Sequence, residues 1–260
     1  MAQINNSDIV RRYKEDGYVV LTEVIDENLT LEAQGHIEWL GRKYPDLRPE
    51  QYHHQLIVDD PFWIRLCTEP CLVDVVESFL GSDIALFAAH YISKPPRDGQ
   101  PVLWHQDGNY WPLEPMEVIT IWLAIDDSTK ENGCMRVIPG SHAGQQLFKH
   151  RSSHGENVLQ SQLELIVDES KAVNVEVPSG GVSLHDPYLI HGSKANLSDT
   201  RRCGLTLRYI PTSTRIKREK FPTYLCRGKV IENNNYYPPI PRFRPGEHYP
   251  FEGCDQPPWK

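Results

Sequence analysis

Several things are scarce in this sequence, and each scarcity removes a class of function. No apolar run among the 260 residues approaches the ~20 needed to cross a bilayer. Basic charge is not in excess: 27 Lys and Arg stand against 35 Asp and Glu, a net charge of −8. Without a basic stripe, nucleic acid and anionic membrane surfaces are poor partners. The six cysteines are scattered, with no CxxC pair. Cys67 and Cys71 lie close together, but no second close pair completes a zinc site. Reduced thiols are therefore expected, in keeping with a cytoplasmic protein. No internal repeat or low-complexity linker is present. The opening MAQINNSDIVRRYKEDGY lacks the apolar stretch of a signal peptide, and the final PPWK matches no lipidation or retention signal. A hydrophobic share of 39% is ample for a core and excludes global disorder.

What is present changes character near residue 82. Before that point the pattern is helical. Asp8 to Asp16 reads as a short amphipathic helix stopped by Gly17, and YVVLTEVI then reads as a strand. Residues 29–44 and 69–81 read as two further helices, the last closed by Gly81. Beyond residue 82, segments 83–93, 117–126, 134–140, 172–177, 181–186 and 203–210 are short and rich in β-branched and aromatic residues. Most are bounded by Gly, Pro, Asn or Asp. No helical pattern separates them, which argues for a sandwich or barrel and against βαβ units. Asn132, Gly133 and Cys134 read as a turn into one of these strands. The chain from Arg215 onward is polar, aromatic and Pro-rich, and its aromatics need cover, so it is expected to wrap on the domain. The expected organisation is one domain over residues 1–260. It comprises a mainly helical flank over 1–82, a jelly-roll core over 83–210 and a Pro/aromatic-rich C-terminal segment over 211–260.

Eleven histidines make any single histidine uninformative. His36, His53, His54, His142, His150 and His154 lie in helical or loop surroundings without a partner pattern and read as structural or solvated. His90 in FAAHYIS and His185 in SLHD lie in strand-like runs and could line a pocket. His105 and Asp107, in VLWHQDGNYWP, are different. Residues i and i+2 of an extended segment project to one face, so imidazole and carboxylate can converge on one ion. His191 in YLIHGS follows a strand-like run 84 residues beyond Asp107 and supplies a third donor. Two histidines and one carboxylate on one face of an octahedron leave three adjacent positions open. That is the donor set of non-haem Fe(II) oxygenases. An anion partner is also present. Arg202, eleven residues after His191, begins the strand CGLTLRYI and can take a carboxylate with two parallel hydrogen bonds. Arg201 faces the other side of an extended chain, whereas Arg208 shares the parity of Arg202 and competes with it deeper in the pocket.

Around these residues the sequence resembles the phytanoyl-CoA dioxygenase family of Fe(II)- and 2-oxoglutarate-dependent oxygenases. The likeness runs from about Tyr18 to Tyr209. It is densest in WHQDGNYWPLEP, TIWLAIDDSTKENGCMRVIPGSH and LIHGSKANLSDTRR. It implies a mainly β fold, a double-stranded β-helix (jelly roll, cupin-like) with N-terminal helices packed on one sheet. By position it implies His105, Asp107 and His191 as iron ligands. It further implies Arg202 and Ser193 on the distal carboxylate of 2-oxoglutarate, with Trp122 and Thr120 nearby and the Gln106 side chain pointing away from the metal. Fe(II), 2-oxoglutarate and O2 are the implied cofactor and co-substrates. Related halogenases carry a small residue where this chain has Asp107. Hydroxylation with release of succinate and CO2 is thus the implied default, with desaturation or epoxidation left open.

The substrate is less legible. Trp104, Asn109, Tyr110, Trp111 and His90 are the candidate pocket residues: aromatic faces hold a cation or a ring, and Asn109 can hydrogen-bond a hydroxyl. The expected substrate is a polar small molecule or natural-product intermediate, an amine or amino sugar among them. Two alternatives stand beside it. One is an acyl-CoA α-hydroxylase, supported by the Lys-Arg-Glu-Lys stretch at 217–220. The other is a jelly-roll metal-binding module without catalysis.

Overall fold

The computed structural model describes residues 6–256; the ends of the single-domain expectation, residues 1–5 and 257–260, lie outside the described residues. Four α-helices precede the long strands: α1 (Asn6–Asp16), α2 (Glu27–Lys43), α3 (Pro61–Cys67) and α4 (Pro70–Leu80), with two short strands among them. Helix α2 starts where the Asp26 carboxylate accepts the Leu29 amide at 2.8 Å, and its last turn carries Arg42 and Lys43 toward the negative end of the dipole. Helix α4 opens on Pro70 and stops at Gly81, whose φ of 77° suits glycine. Helix α3, which the sequence pattern does not reveal, has a similar logic. Asp60 caps it through the Trp63 amide at 2.9 Å, and Pro61 occupies its first position. That Asp-Pro signal is visible in the sequence, but two turns are too few to show a period.

Eleven strands build the two main sheets: β1 (Tyr18–Leu21), β2 (Tyr52–His53), β3 (Ile84–Lys94), β4 (Val102–His105), β5 (Ile119–Ala124), β6 (Met135–Val137), β7 (Val173–Val175), β8 (Val182–His185), β9 (His191–Ser193), β10 (Arg202–Pro211) and β11 (Tyr224–Arg227). The larger sheet has the order β1-β8-β5-β10-β3-β11, with β2 added on β3; the smaller has the order β7-β6-β9-β4. Within both sheets the pairing is antiparallel. From β3 onward the chain passes back and forth between them, which makes a jelly roll with the helices against the larger sheet. The expected strand YVVLTEVI keeps only β1, because Glu23 takes a left-handed φ of 56° and turns the chain.

Alternation along the central strands sorts two cores. Ile121, Leu123, Leu205, Leu207 and Tyr209 face the helices and pack with Phe62, Trp63, Leu72 and Val76. Trp122 and Ala124 face the smaller sheet and pack with Met135, Val137 and Val175. A fully buried aliphatic side chain stabilises by about 1.5–3 kcal/mol, so the much larger helix-side core carries most of the stability. Beside the smaller core, the space between the sheets holds a cavity lined by polar groups such as His105, Asp107, His191 and Arg202. The C-terminal segment wraps back as its aromatics require. Phe251 is buried beside Phe62, and Arg244 reaches the Asp59 carboxylate at 2.9 Å. Strand β11 is not evident from the sequence, since four residues between Pro and Gly carry little pattern. All six cysteines are free thiols. Among the described residues no helix is long and apolar enough to cross a membrane.

Candidate metal and co-substrate site

The His-Gln-Asp segment sits where a strand becomes a turn. Strand β4 ends at His105, Gln106 stays extended (φ −125°, ψ 126°), and Asp107 opens a 3-10 turn. Imidazole and carboxylate therefore share a side, while Gln106 points away. Its amide donates to the carbonyls of Gln146 (2.9 Å) and Tyr188 (2.6 Å), and its oxygen accepts the Phe148 amide at 2.8 Å. Strand β9 lies alongside, with His191 opposite His105. A Cβ on Gly192 would stand 2.8 Å from the Val102 carbonyl, so the glycine between His191 and Ser193 lets the two strands close.

His105 Nε2 lies 3.4 Å and His191 Nε2 3.8 Å from Asp107 Oδ1, and the three donors lie within 4.8 Å of one another. Adjacent donors around an ion with bonds of about 2.1 Å lie about 3 Å apart, so small side-chain adjustments close the set on one ion. Each imidazole is oriented by its own chain: His105 Nδ1 donates to the Leu103 carbonyl (2.8 Å) and His191 Nδ1 to the Leu189 carbonyl (3.0 Å). A carbonyl can only accept, so Nδ1 carries the proton and Nε2 presents its lone pair. Burial, reinforced by His105 and His185, holds His191 well below the usual histidine range and keeps it neutral. Burial opposes charge on Asp107, yet the Arg208 guanidinium and the surrounding imidazoles outweigh it and hold its carboxyl well below the usual range. Two imidazole nitrogens and one carboxylate fit Fe(II).

The inner face of the larger sheet is laid out in rungs. His185, Thr120, Arg208 and Ala88 are paired across one; Ser183, Trp122, Thr206 and His90 form the next; Arg202 opposes Lys94 at the far end. Gly204 lies between, and any Cβ there would overlap the Trp122 indole. Arg202 is 2% exposed, with its guanidinium 4.4 Å from the centre of the Trp122 ring. Its hydrogen bond is a long one, 3.4 Å to Ser128 Oγ, and it has no carboxylate partner among the described residues. Lys94 is buried beside it and donates to Ser193 Oγ (2.7 Å) and the Lys194 carbonyl (2.5 Å). Burial pushes Arg202 down to about 10, and burial together with Arg202 pushes Lys94 well below its ordinary value. Buried cations without counterions are costly. Arg202 lines the cavity with Ser193 and Trp122, and Lys94 stands behind them on Ser193 Oγ; a buried guanidinium there makes a socket that fits the distal carboxylate of a 2-oxo diacid. Sequence reasoning does not find Lys94, although a lysine closing the apolar strand FAAHYISK is a readable signal.

The remaining candidates divide. Arg201 faces the opposite side and pairs with Asp126 at 2.7 and 2.9 Å. Thr120 sits on the inner face two residues from Trp122, opposite Arg208 and His185. His90 and His185 line the cavity; His90 Nε2 donates to the Glu50 carbonyl at 2.9 Å. Trp104 does not reach the cavity. As the neighbour of His105 it faces outward, where its indole donates to Glu169 (3.1 Å) under the Arg136 guanidinium. Asn109 is exposed in the turn and also falls outside the pocket lining. Tyr110 stands half-exposed at the rim, its ring 6.2 Å from that of His105. Trp111 packs against Phe87 and lies 5.4 Å beneath the Arg208 guanidinium. His150, read from the sequence as structural or solvated, accepts the Gln106 backbone N–H at 3.2 Å.

A jelly roll that brings two strand histidines and a carboxylate from the following turn together beside a buried cation has the donor set found in non-haem Fe(II) oxygenases. The phytanoyl-CoA dioxygenase (PhyH) family model matches residues 13–204, and the chain belongs to that family. A probable phytanoyl-CoA dioxygenase of Caenorhabditis elegans is 33% identical over 165 residues, 60% of this chain and 53% of that protein. A probable alpha-ketoglutarate-dependent hypophosphite dioxygenase of Stutzerimonas stutzeri is 34% identical over 142 residues, covering 53% and 49%. The chain thus spans about half the length of these curated relatives. It aligns with 84% of the L-proline trans-4-hydroxylase of Streptomyces griseoviridis at 28% identity, over 76% of its own length. Among solved structures, the apo form of the non-heme monooxygenase ThoJ superposes with a TM-score of 0.78 at 23% identity, covering 90% of this chain and 88% of that one. The epimerase SnoN in complex with Fe3+, alpha ketoglutarate and nogalamycin RO gives 0.65 at 21% identity, covering 82% and 86%. These two likenesses carry the fold.

Proposed function

We propose that this protein is an Fe(II)- and 2-oxoglutarate-dependent dioxygenase, one domain over residues 1–260, that hydroxylates an unactivated C–H bond of a polar small molecule or natural-product intermediate. The observation that carries this reading is Arg202: a buried cation without a carboxylate partner among the described residues, facing the same cavity as the His105, Asp107 and His191 donors. Bound iron with 2-oxoglutarate and O2 supplies the oxidising chemistry, with succinate and CO2 as by-products. The chain's own part is positional. His105, Asp107 and His191 would hold the ion; Arg202 and Ser193 would take the distal carboxylate against the Trp122 wall, with Lys94 fixing Ser193 Oγ from behind. Gln106 locks the donor segment to two neighbouring loops, and the two sheets keep water from the reacting centre.

For the substrate, the lining favours some chemistries over others. Asp107 is the sole acid among the described residues lining the cavity and is turned to the metal donors, which leaves an amine without a counter-charge. The basic stretch that would favour an acyl-CoA lines a separate groove, where Lys217 is already paired with Glu114 at 2.7 Å. A binding module without catalysis would have no use for the cationic socket. The relatives named for L-proline and hypophosphite point to small molecules, and six free thiols suit a cytoplasmic setting.

The test is an anaerobic titration of apoprotein with Fe(II) and 2-oxoglutarate, followed by the visible charge-transfer band of the chelate. The band should saturate at one equivalent per chain, and Asp107→Ala should abolish both band and succinate formation. Metal binding without the band overturns the co-substrate socket. Unchanged succinate production by Asp107→Ala overturns the metal assignment.

A further inference from the structure

We propose that Arg208 binds an oxyanion carried by the substrate, a carboxylate or a phosphonate, at the metal-donor end of the cavity remote from Arg202. The inference rests on the dioxygenase reading above and names the substrate class for that site. Arg208 and Arg202 share the inner face of β10, six residues apart, which is about 20 Å of extended chain. A five-carbon diacid held by Arg202 and reaching the metal donors leaves Arg208 for another ligand.

Asp107 does not use up this guanidinium. The nearest approach is 3.9 Å from Arg208 Nε to Asp107 Oδ2, beyond hydrogen-bond reach, whereas a bidentate arginine–carboxylate pair closes to about 2.7–2.9 Å. Nε is buried and has no hydrogen-bond partner. Two more polar atoms on the same rung are in the same position. Thr120 Oγ1, directly across on β5, and His185 Nδ1, next across on β8, are both buried and without a partner. One row across three strands thus presents a cationic fork, a hydroxyl and a ring nitrogen beside the cavity. Trp111 covers one face of the guanidinium at 5.4 Å, which leaves its edge for in-plane recognition of an oxyanion. No free carboxylate among the cavity-lining residues competes for it.

The experiment uses the full chain loaded anaerobically with Fe(II) and 2-oxoglutarate. The charge-transfer band is recorded first, so that a wild-type protein without it refutes the dioxygenase reading and not this assignment. Small carboxylates and alkylphosphonates are then supplied, each paired with its neutral amide or ester, and band perturbation and substrate-dependent succinate formation are read. Acids should perturb the band where their neutral partners do not, and the carboxylate and phosphonate arms identify which oxyanion is preferred. Arg208→Gln should weaken the acid response about 10- to 100-fold, measured against that variant's own chelate band. Arg208→Lys, which keeps the charge but loses the fork, should fall between, and Thr120→Val should weaken the same response more mildly. If Arg208→Gln does not fold, the Lys and Val variants decide. Equal responses to acid and neutral partners, a panel in which no acid responds, or acid responses indifferent to Arg208 and Thr120 would each overturn the assignment.

Discussion

Replacing Arg202 by methionine should make the ligand-free protein more stable, against the usual direction for a buried residue. Burial pushes this guanidinium down to about 10 from an ordinary value of roughly 12.5. At about 1.4 kcal/mol per pKa unit, that is a cost of about 3 kcal/mol in the folded state. Against it stand a long hydrogen bond to Ser128 and the contact with the Trp122 face, about 1 kcal/mol each. Methionine keeps most of the apolar stem and removes the charge, so a net gain of about 1 kcal/mol is expected. With 2-oxoglutarate the order reverses. At one hundred times its Kd the co-substrate adds about 2.7 kcal/mol to the wild type, and almost nothing to a variant that has lost the carboxylate's partner. Anaerobic urea denaturation with Fe(II), with and without 2-oxoglutarate, gives both numbers, and the two stability orders should cross. A variant that is less stable by 1 kcal/mol or more without ligand refutes the strain attributed to the charge. A variant that keeps the full 2-oxoglutarate response refutes the socket.

Two further outcomes follow from packing and burial. Gly204→Ala should displace the Trp122 indole, cost about 1–3 kcal/mol by overpacking, and weaken 2-oxoglutarate binding through Arg202; wild-type values for tryptophan fluorescence, urea midpoint and chelate titration would contradict this. Burial depresses His54 to about 4, while its ring bridges the Pro222 carbonyl and the Ala89 amide. A depressed folded value means its contribution is complete above the unfolded value of about 6.5 and is lost as pH falls from there through 4, at up to about 1.4 kcal/mol per pH unit. His54→Gln, which keeps a donor and an acceptor, should flatten that part of the stability profile, and parallel wild-type and variant curves would count against it.

Strand parity explains both what is legible in the sequence and what is not. A period of two decides which residues of a strand share a side, so His105 with Asp107 and Arg202 against Arg201 follow from chain position, whereas the inward Trp122 is implied by the family resemblance. The same period, applied strictly, removes Trp104 from the pocket. Nearness to His105 along the chain suggests a pocket role that its parity forbids. Asn109 and Tyr110 lie in a 3-10 turn, where no period applies and exposure is set by the loops around it. Helix α3 and strand β11 are too short for a repeat to show. Lys94 escapes a reading of the sequence because its significance lies in its neighbours: Ser193 and Arg202 are about one hundred residues away along the chain.

The two faces of β10 do different physical work. Leu205, Leu207 and Tyr209 answer to folding, while Thr206 and Arg208 line the cavity. Substitutions that share no partners add nearly independently, so an inward position can change its chemistry without a compensating change among the helix-side residues. The inward positions of this sheet can therefore be varied one alternate residue at a time while the helix-side packing stays constant. An engineer seeking a new substrate would begin with Thr120, Thr206 and Arg208 and leave the odd-numbered residues between them alone.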